Sequence, residues 1–69
     1  MGSIIKLTQR ETQVLCMIAN EMNSHEIAKE LFVSHHTIIS HRRRLLAKLQ
    51  VRNIAGMVRK GFEQGILTA

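Results

Sequence analysis

The stretch Asn23-Ser24-His25-Glu26-Ile27-Ala28-Lys29-Glu30-Leu31, then Phe32-Val33, then Ser34-His35-His36-Thr37-Ile38, decides the fold. Asn23 is a strong helix-capping residue. Glu26, three positions on, can return a hydrogen bond to the capping residue's amide, so a helix is expected from Ser24. Ile27, Ala28 and Leu31 line one side of it, ending it at about Leu31. Ser34 can cap a second helix that starts at His35. Three residues, Phe32 to Ser34, join the two. A link that short forces a large crossing angle, which is the helix-turn-helix arrangement.

The second of these helices is expected over about His35 to Leu49. With Ile38 at zero and each residue turned by about 100°, Leu45 falls at about 340° and Leu49 at about 20°. These three define the inward side. His36 falls at about 160°, Ser40 at about 200°, Arg43 at about 140° and Ala47 at about 180°, with Arg44 and Ile39 beside them. The outward side is therefore narrow, polar and basic, with small residues at its centre. A helix that enters a DNA groove needs small residues at closest approach and long donors at the edges.

Two more helices flank this pair. Thr8-Gln9-Arg10-Glu11 has the form of a capping box, with Leu7 placed to pack back on the helix. Glu11, Val14, Leu15, Ile18 and Met22 then recur at three- and four-residue spacing, predicting a helix over about Gln9 to Glu21. Asn53 caps a last helix to about Gln64, with Gly65 as its stop. Ile54, Met57, Val58 and Phe62 are its apolar positions. Gly61 inside it costs up to about 1 kcal/mol against alanine, and either admits a close neighbour or weakens the helix end. The expected fold is all-α, a four-helix helix-turn-helix domain over residues 7–67. Residues 1–6 are expected to be a disordered or cloning-derived tail.

Composition narrows the classes. At 69 residues the chain is one domain. Chains of this size bury only about 60% of their unfolded surface, which leaves little room for a catalytic pocket, and no enzyme is expected. Prolines are absent, glycines number four, and a lone cysteine, Cys16, excludes an internal disulfide and fits a reducing cytoplasm. Cys16 lies in an apolar run and is expected to be a buried small hydrophobe. No apolar run reaches the roughly 18 residues that span a bilayer, and no secretory signal is evident. The net charge is +5. Up to Leu31, Lys6, Arg10 and Lys29 are outnumbered by Glu11, Glu21, Glu26 and Glu30. From Phe32 onward, Arg42, Arg43, Arg44, Lys48, Arg52, Arg59 and Lys60 face Glu63 alone. Such a one-sided positive field attracts polyanions without saying which.

With these residues laid out, almost the whole chain, Leu7 to Leu67, resembles the LuxR/GerE-type helix-turn-helix domain. The resemblance is carried by Leu-Thr-Gln-Arg-Glu (7–11), Glu-Ile-Ala-Lys-Glu-Leu (26–31), Val-Ser-His-His-Thr-Ile (33–38), Ser-His-Arg (40–42), Leu-Leu-Ala-Lys-Leu (45–49) and Val-Arg-Asn (51–53). It implies a bacterial transcription regulator, often the output domain of a response regulator or quorum-sensing receptor, that works at the nucleoid in the cytoplasm. It also implies that Ile39, Ser40 and Arg43 face bases. Asn23, Ser24, Thr37, His41, Arg44, Lys48 and Arg52 match positions near phosphates. The last helix matches the family's dimer contact, here Ile54, Met57 and Val58. Three departures stand out. Glu21 replaces the glycine that usually ends the first helix, so Asn20 or Asn23 is expected to take the left-handed conformation. Ile39 replaces a long polar reader and could make only apolar contact, for example with a thymine methyl. Gly56 stands where a glutamate would complete a capping box with Asn53.

Each candidate has a plainer reading. Arg43 can donate two hydrogen bonds to guanine O6 and N7, or it is a solvated arginine or a phosphate contact. His36 lies on the same outward side. Arg44, Lys48 and Arg52 flank that side as phosphate partners, or simply as a solvated charge run. A neutral His41 can donate to a phosphate, or pack against the first helix. The Arg42 stem is expected to cover apolar surface with its head in water. His35 and His36 point about 100° apart and His36 and His41 are five residues apart, so no metal site is expected. No cofactor and no small-molecule ligand are expected either. The chain has no aspartate, hence no phosphoacceptor aspartate.

The leading partner is double-stranded DNA, bound as a homodimer. RNA or single strands usually need aromatic platforms. Phe32 and Phe62 are expected in the core, and Trp and Tyr are absent. A protein-interaction module contacting RNA polymerase is a second alternative. A basic helix on a membrane is the weakest of the three.

Overall fold

The computed structural model describes residues 5–68, which form four helices and no strand. They are α1 (Gln9–Ala19), α2 (Ser24–Leu31), α3 (His35–Leu49) and α4 (Ile54–Glu63). Of the expected tail, residues 1–4 lie outside the described residues. Ile5 packs against the core, and the Lys6 carbonyl accepts a hydrogen bond from Lys48 at 3.3 Å.

Every helix start is the one the sequence encodes. Thr8 Oγ1 accepts from the Glu11 amide at 3.1 Å while Glu11 Oε1 accepts from the Thr8 amide at 2.9 Å. Asn23 and Glu26 exchange the same two bonds, each at 2.9 Å. Ser34 caps α3 through the Thr37 amide, and Asn53 caps α4 through the Gly56 amide. Each cap satisfies an amide that the helix's own ladder leaves without an acceptor.

The helix ends were less legible. α1 stops at Ala19, two residues before the expected Glu21. The left-handed residue is Glu21 itself, with φ 65, whereas Asn20 and Asn23 have φ −89 and −83. The bonds give the reason. The Glu21 amide donates to Ile18 O and the Met22 amide to Met17 O, a closure that reverses the chain at the residue between the two donors' carbonyl partners and the next cap. Asn23 is already engaged as the α2 cap. The same bonds recur at Phe32 and Val33, donating to Lys29 and Ala28, and at Gln50 and Val51, donating to Ala47 and Leu46. They recur again at Gly65 and Ile66, donating to Phe62 and Gly61. Phe32 and Gln50 are left-handed at φ 57 and 56, and Gly65 at φ 73. One closure thus ends all four helices, and α4 alone uses glycine for it.

The core is built from Val14, Leu15 and Ile18 of α1, Ile27 and Ala28 of α2, Ile38, Leu45 and Leu49 of α3, Met57 of α4, and Leu67. Gly61 admits a close neighbour. A β-carbon there would lie 2.7 Å from Leu67 Cδ1 and 3.3 Å from Leu15 Cδ2. Both phenylalanines depart from expectation. Phe32 is 94% exposed because its left-handed backbone turns the side chain away from the α2–α3 angle, and Phe62 is 46% exposed. They sit on different parts of the molecule, one in the turn and the other beside a groove lined by Cys16, Ala19, Asn20, Ile66, Leu67 and Thr68. Cys16 is half-buried rather than buried.

Polar ties complete the packing. Glu11 is 2% exposed. Its Oε1 takes the Lys48 ammonium at 2.7 Å as well as the Thr8 amide, joining α1 to α3. Burial alone would push this carboxyl up from its ordinary 4.5, but the hydrogen bonds from Lys48 and Thr8 outweigh burial and hold it below that value. A group whose folded pKa is depressed contributes stability above its unfolded value and loses it as pH falls through the folded one.

Three outcomes follow from these ends and ties. Glu21→Gly relieves a left-handed penalty of about 1–2 kcal/mol at the cost of some backbone entropy. It should raise the chemical-denaturation stability by about 0.5–1 kcal/mol. Lys48→Met leaves a buried carboxylate without its cation and should lower stability by about 1–3 kcal/mol. Between pH 5 and pH 3 the thermal midpoint of the parent chain should fall more steeply than that of Glu11→Gln, since only the parent loses the Glu11 contribution.

Candidate nucleic-acid interface

α3 packs against α1, α2 and α4 and turns its remaining side to solvent. Ile38, Leu45 and Leu49 are 0% exposed. On the opposite side His36, Ser40, Arg43, Arg44 and Ala47 are exposed and Ile39 is half-buried. The angular placement read from spacing therefore describes the folded helix. Arg52, in the α3–α4 connection, is exposed as well.

The cations divide into two sets. Arg42 Nη1 donates to Ser24 Oγ at 2.6 Å, so its head closes the α2–α3 angle rather than reaching into water as expected. Lys48 is held by Glu11. Arg59 pairs with Glu63 one turn on at 3.2 Å, an exposed pair of the kind that contributes little. By contrast, Arg43, Arg44 and Arg52 make no side-chain hydrogen bond or ion pair among the described residues, and neither do His36 and Ser40. Donors left unpaired by the protein are those free to serve an external acceptor.

The flanks of α3 are occupied. The Thr37 hydroxyl lies 2.9 Å from Ser34 Oγ, within the α3 cap. His41 is half-buried and its Nδ1 is buried without a partner. Asn23 is exposed, its side-chain oxygen engaged in the α2 cap. Ser24 is 7% exposed and its hydroxyl already accepts Arg42. On α4, Met57 is fully buried in the chain's own core, so of the three expected dimer residues only Ile54, 39% exposed, and half-buried Val58 reach the surface.

Sequence reasoning missed the Arg42–Ser24 bond and the Glu11–Lys48 pair. Glu11 carried a signal: it falls on the same helical stripe as Val14, Leu15 and Ile18, so a carboxylate there must be buried and must find a cation. Arg42 carried one too, lying about 40° from Ile38 and so toward a neighbouring helix.

Residues 6–60 match the family model described as GerE, bacterial regulatory proteins of the luxR family. The chain belongs to the luxR family. This luxR-family chain is 50% identical over 46 residues to the transcriptional regulatory protein YhcZ of Bacillus subtilis (strain 168), covering 67% of this chain and 22% of that protein. It is 42% identical over 45 residues to the transcriptional regulatory protein LiaR of the same organism, covering 65% and 21%. A nitrate/nitrite response regulator homologue of Haemophilus influenzae is 41% identical over 58 residues, covering 84% of this chain and 28% of its own length. The chain thus spans well under half of these relatives. Its fold superimposes on the response regulator ChrA of a heme-sensing two-component system with a TM-score of 0.88 at 23% identity, covering 96% of this chain and 33% of that one. The family is one of DNA-binding transcription regulators and not of enzymes. Among the described residues no helix is long and apolar enough to cross a membrane, and no group of three or more potential ligands could hold a metal ion.

Proposed function

We propose that this luxR-family domain recognises duplex DNA sequence-specifically, with α3 in the major groove, and regulates transcription as the output module of a larger response regulator. One observation carries the reading: the solvent side of α3 presents His36, Ser40 and Arg43 without internal partners, around the small centre formed by Ser40 and Ala47. Arg43 is the base reader, its planar fork matching guanine O6 and N7. Ser40 and His36 donate to base edges beside it, and Ile39 meets a thymine methyl. Arg44 and Arg52, exposed and unpaired, neutralise phosphates. Asn23, Ser24, Thr37 and His41 border the backbone on either side of α3. Lys48 serves a phosphate only as far as Glu11 shares it. Two copies meet through Ile54 and Val58 on α4, placing two α3 helices on half-sites about 10 bp apart. The relatives named as response regulators support the larger context.

Selection of preferred duplexes from a random pool, followed by titration of the winners, tests this. Arg43→Ala should relax the preference at one base pair by about 1–3 kcal/mol, while a uniform loss over all sequences would place Arg43 on the backbone instead. Arg44→Gln should reduce the slope of log affinity against log salt by about 0.9. Sedimentation on the selected duplex should show two chains per site, and saturation at one chain would end the dimer proposal. Equal binding to single strands would sink the duplex reading altogether.

A further inference from the structure

The first turns of α2 and α3 meet at two imidazoles. His25 and His35 stack with ring centroids 3.8 Å apart and planes 4° from parallel. His25 is exposed and His35 half-buried. Parallel rings send their nitrogen lone pairs into separate, parallel planes, so the pair does not converge on a metal ion. It suits a single proton. Imidazole changes charge between pH 5 and 8. One imidazolium over a neutral ring is attracted to its π face, whereas two imidazolium ions at this distance repel each other.

The surroundings of the pair leave that proton open to outside influence. On α2, the Glu26 carboxylate is turned back onto the Asn23 amide, and Lys29 lies one turn beyond His25. On α3, apolar Ile38 and Ile39 lie one turn beyond His35, His36 points away to the solvent side, and Arg42 lies two turns on with its guanidinium on Ser24. Glu21 stands in the turn before α2. Among the described residues, neither ring of the pair is hydrogen-bonded to a carboxylate.

We propose that the stacked His25–His35 pair contacts a DNA phosphate and takes up one proton as the duplex binds, so that affinity rises as pH falls from 8 to 6. The inference rests on the duplex-binding reading above. In a helix-turn-helix complex the recognition helix enters the groove by its N-terminal end while the helix before it crosses the backbone. That geometry brings the starts of α2 and α3 together at one strand. A phosphate there stabilises the charged form of the pair.

The test measures duplex affinity of the full 69-residue chain by fluorescence anisotropy at pH 6, 7 and 8, each over a range of salt. Calorimetry in two buffers of different ionisation enthalpy counts protons directly. The parent should bind about three- to tenfold more tightly at pH 6 than at pH 8, as up to one proton is linked to binding. Its salt slope should steepen by up to about 0.9, with net proton uptake near pH 7. His25→Gln, at the exposed ring, and His35→Gln should each flatten both dependences while keeping the helical circular-dichroism signal. Parent binding that ignores pH, without proton uptake, overturns the proposal and leaves the duplex reading standing. A pH dependence that survives in the double variant His25→Gln/His35→Gln also overturns it, because the proton then belongs to His36 or His41. Absence of duplex binding by the folded parent at every pH overturns both readings together.

Discussion

A fifteen-residue helix with three consecutive arginines has no reason of its own to keep one side dry. Ile38, Leu45 and Leu49 impose that constraint. All three are fully buried on a single stripe of α3, and each contributes on the order of 1.5–3 kcal/mol when sealed from water. Rotating the helix by one residue would expose them and bury Arg43. The position of the whole basic surface therefore depends on this stripe, and every other contact of α3 refines an orientation already decided by hydrophobic burial.

The refinement is polar and lies on the flanks. Toward α2, the Arg42–Ser24 bond and the His25–His35 stack hold the crossing angle. Toward α1, Lys48 reaches the buried Glu11, which is also half of the α1 capping box. Two of the cations that a charge count credits to the exposed basic surface are thus structural. Of the basic residues from Phe32 onward that are unpaired among the described residues, Arg43, Arg44 and Arg52 lie on or beside the solvent side of α3, whereas Lys60 is half-buried on α4. For a luxR-family domain this separates the donors that keep α3 in place from those left free for a polyanion.

Each helix ends in the same pair of backbone bonds, and that closure demands one residue with positive φ. Glutamate, phenylalanine and glutamine occupy three of these positions. A domain that tolerates strain at three ends relies on tertiary packing to stop its helices. The cost is offset where the following residue, Met22, Val33 or Val51, is drawn against the core. At Phe32 the same backbone leaves a large aromatic ring in water.

The chain's own pattern determined the four helices, their starts, and the inward and outward sides of α3. Caps act over three or four residues, and a helical stripe is a local periodicity, so both can be read from Thr8, Asn23, Ser34 and Asn53 and from the spacing of Ile38, Leu45 and Leu49. What tertiary structure alone decided was where helices stop without glycine, which charges are paired, and which apolar residues remain outside. Lys48 meets Glu11 across 37 positions and Arg42 meets Ser24 across 18. Met57 is buried while Phe32 is not, although both are large and apolar. Those outcomes depend on which elements come to lie against one another, and linear spacing carries no measure of that.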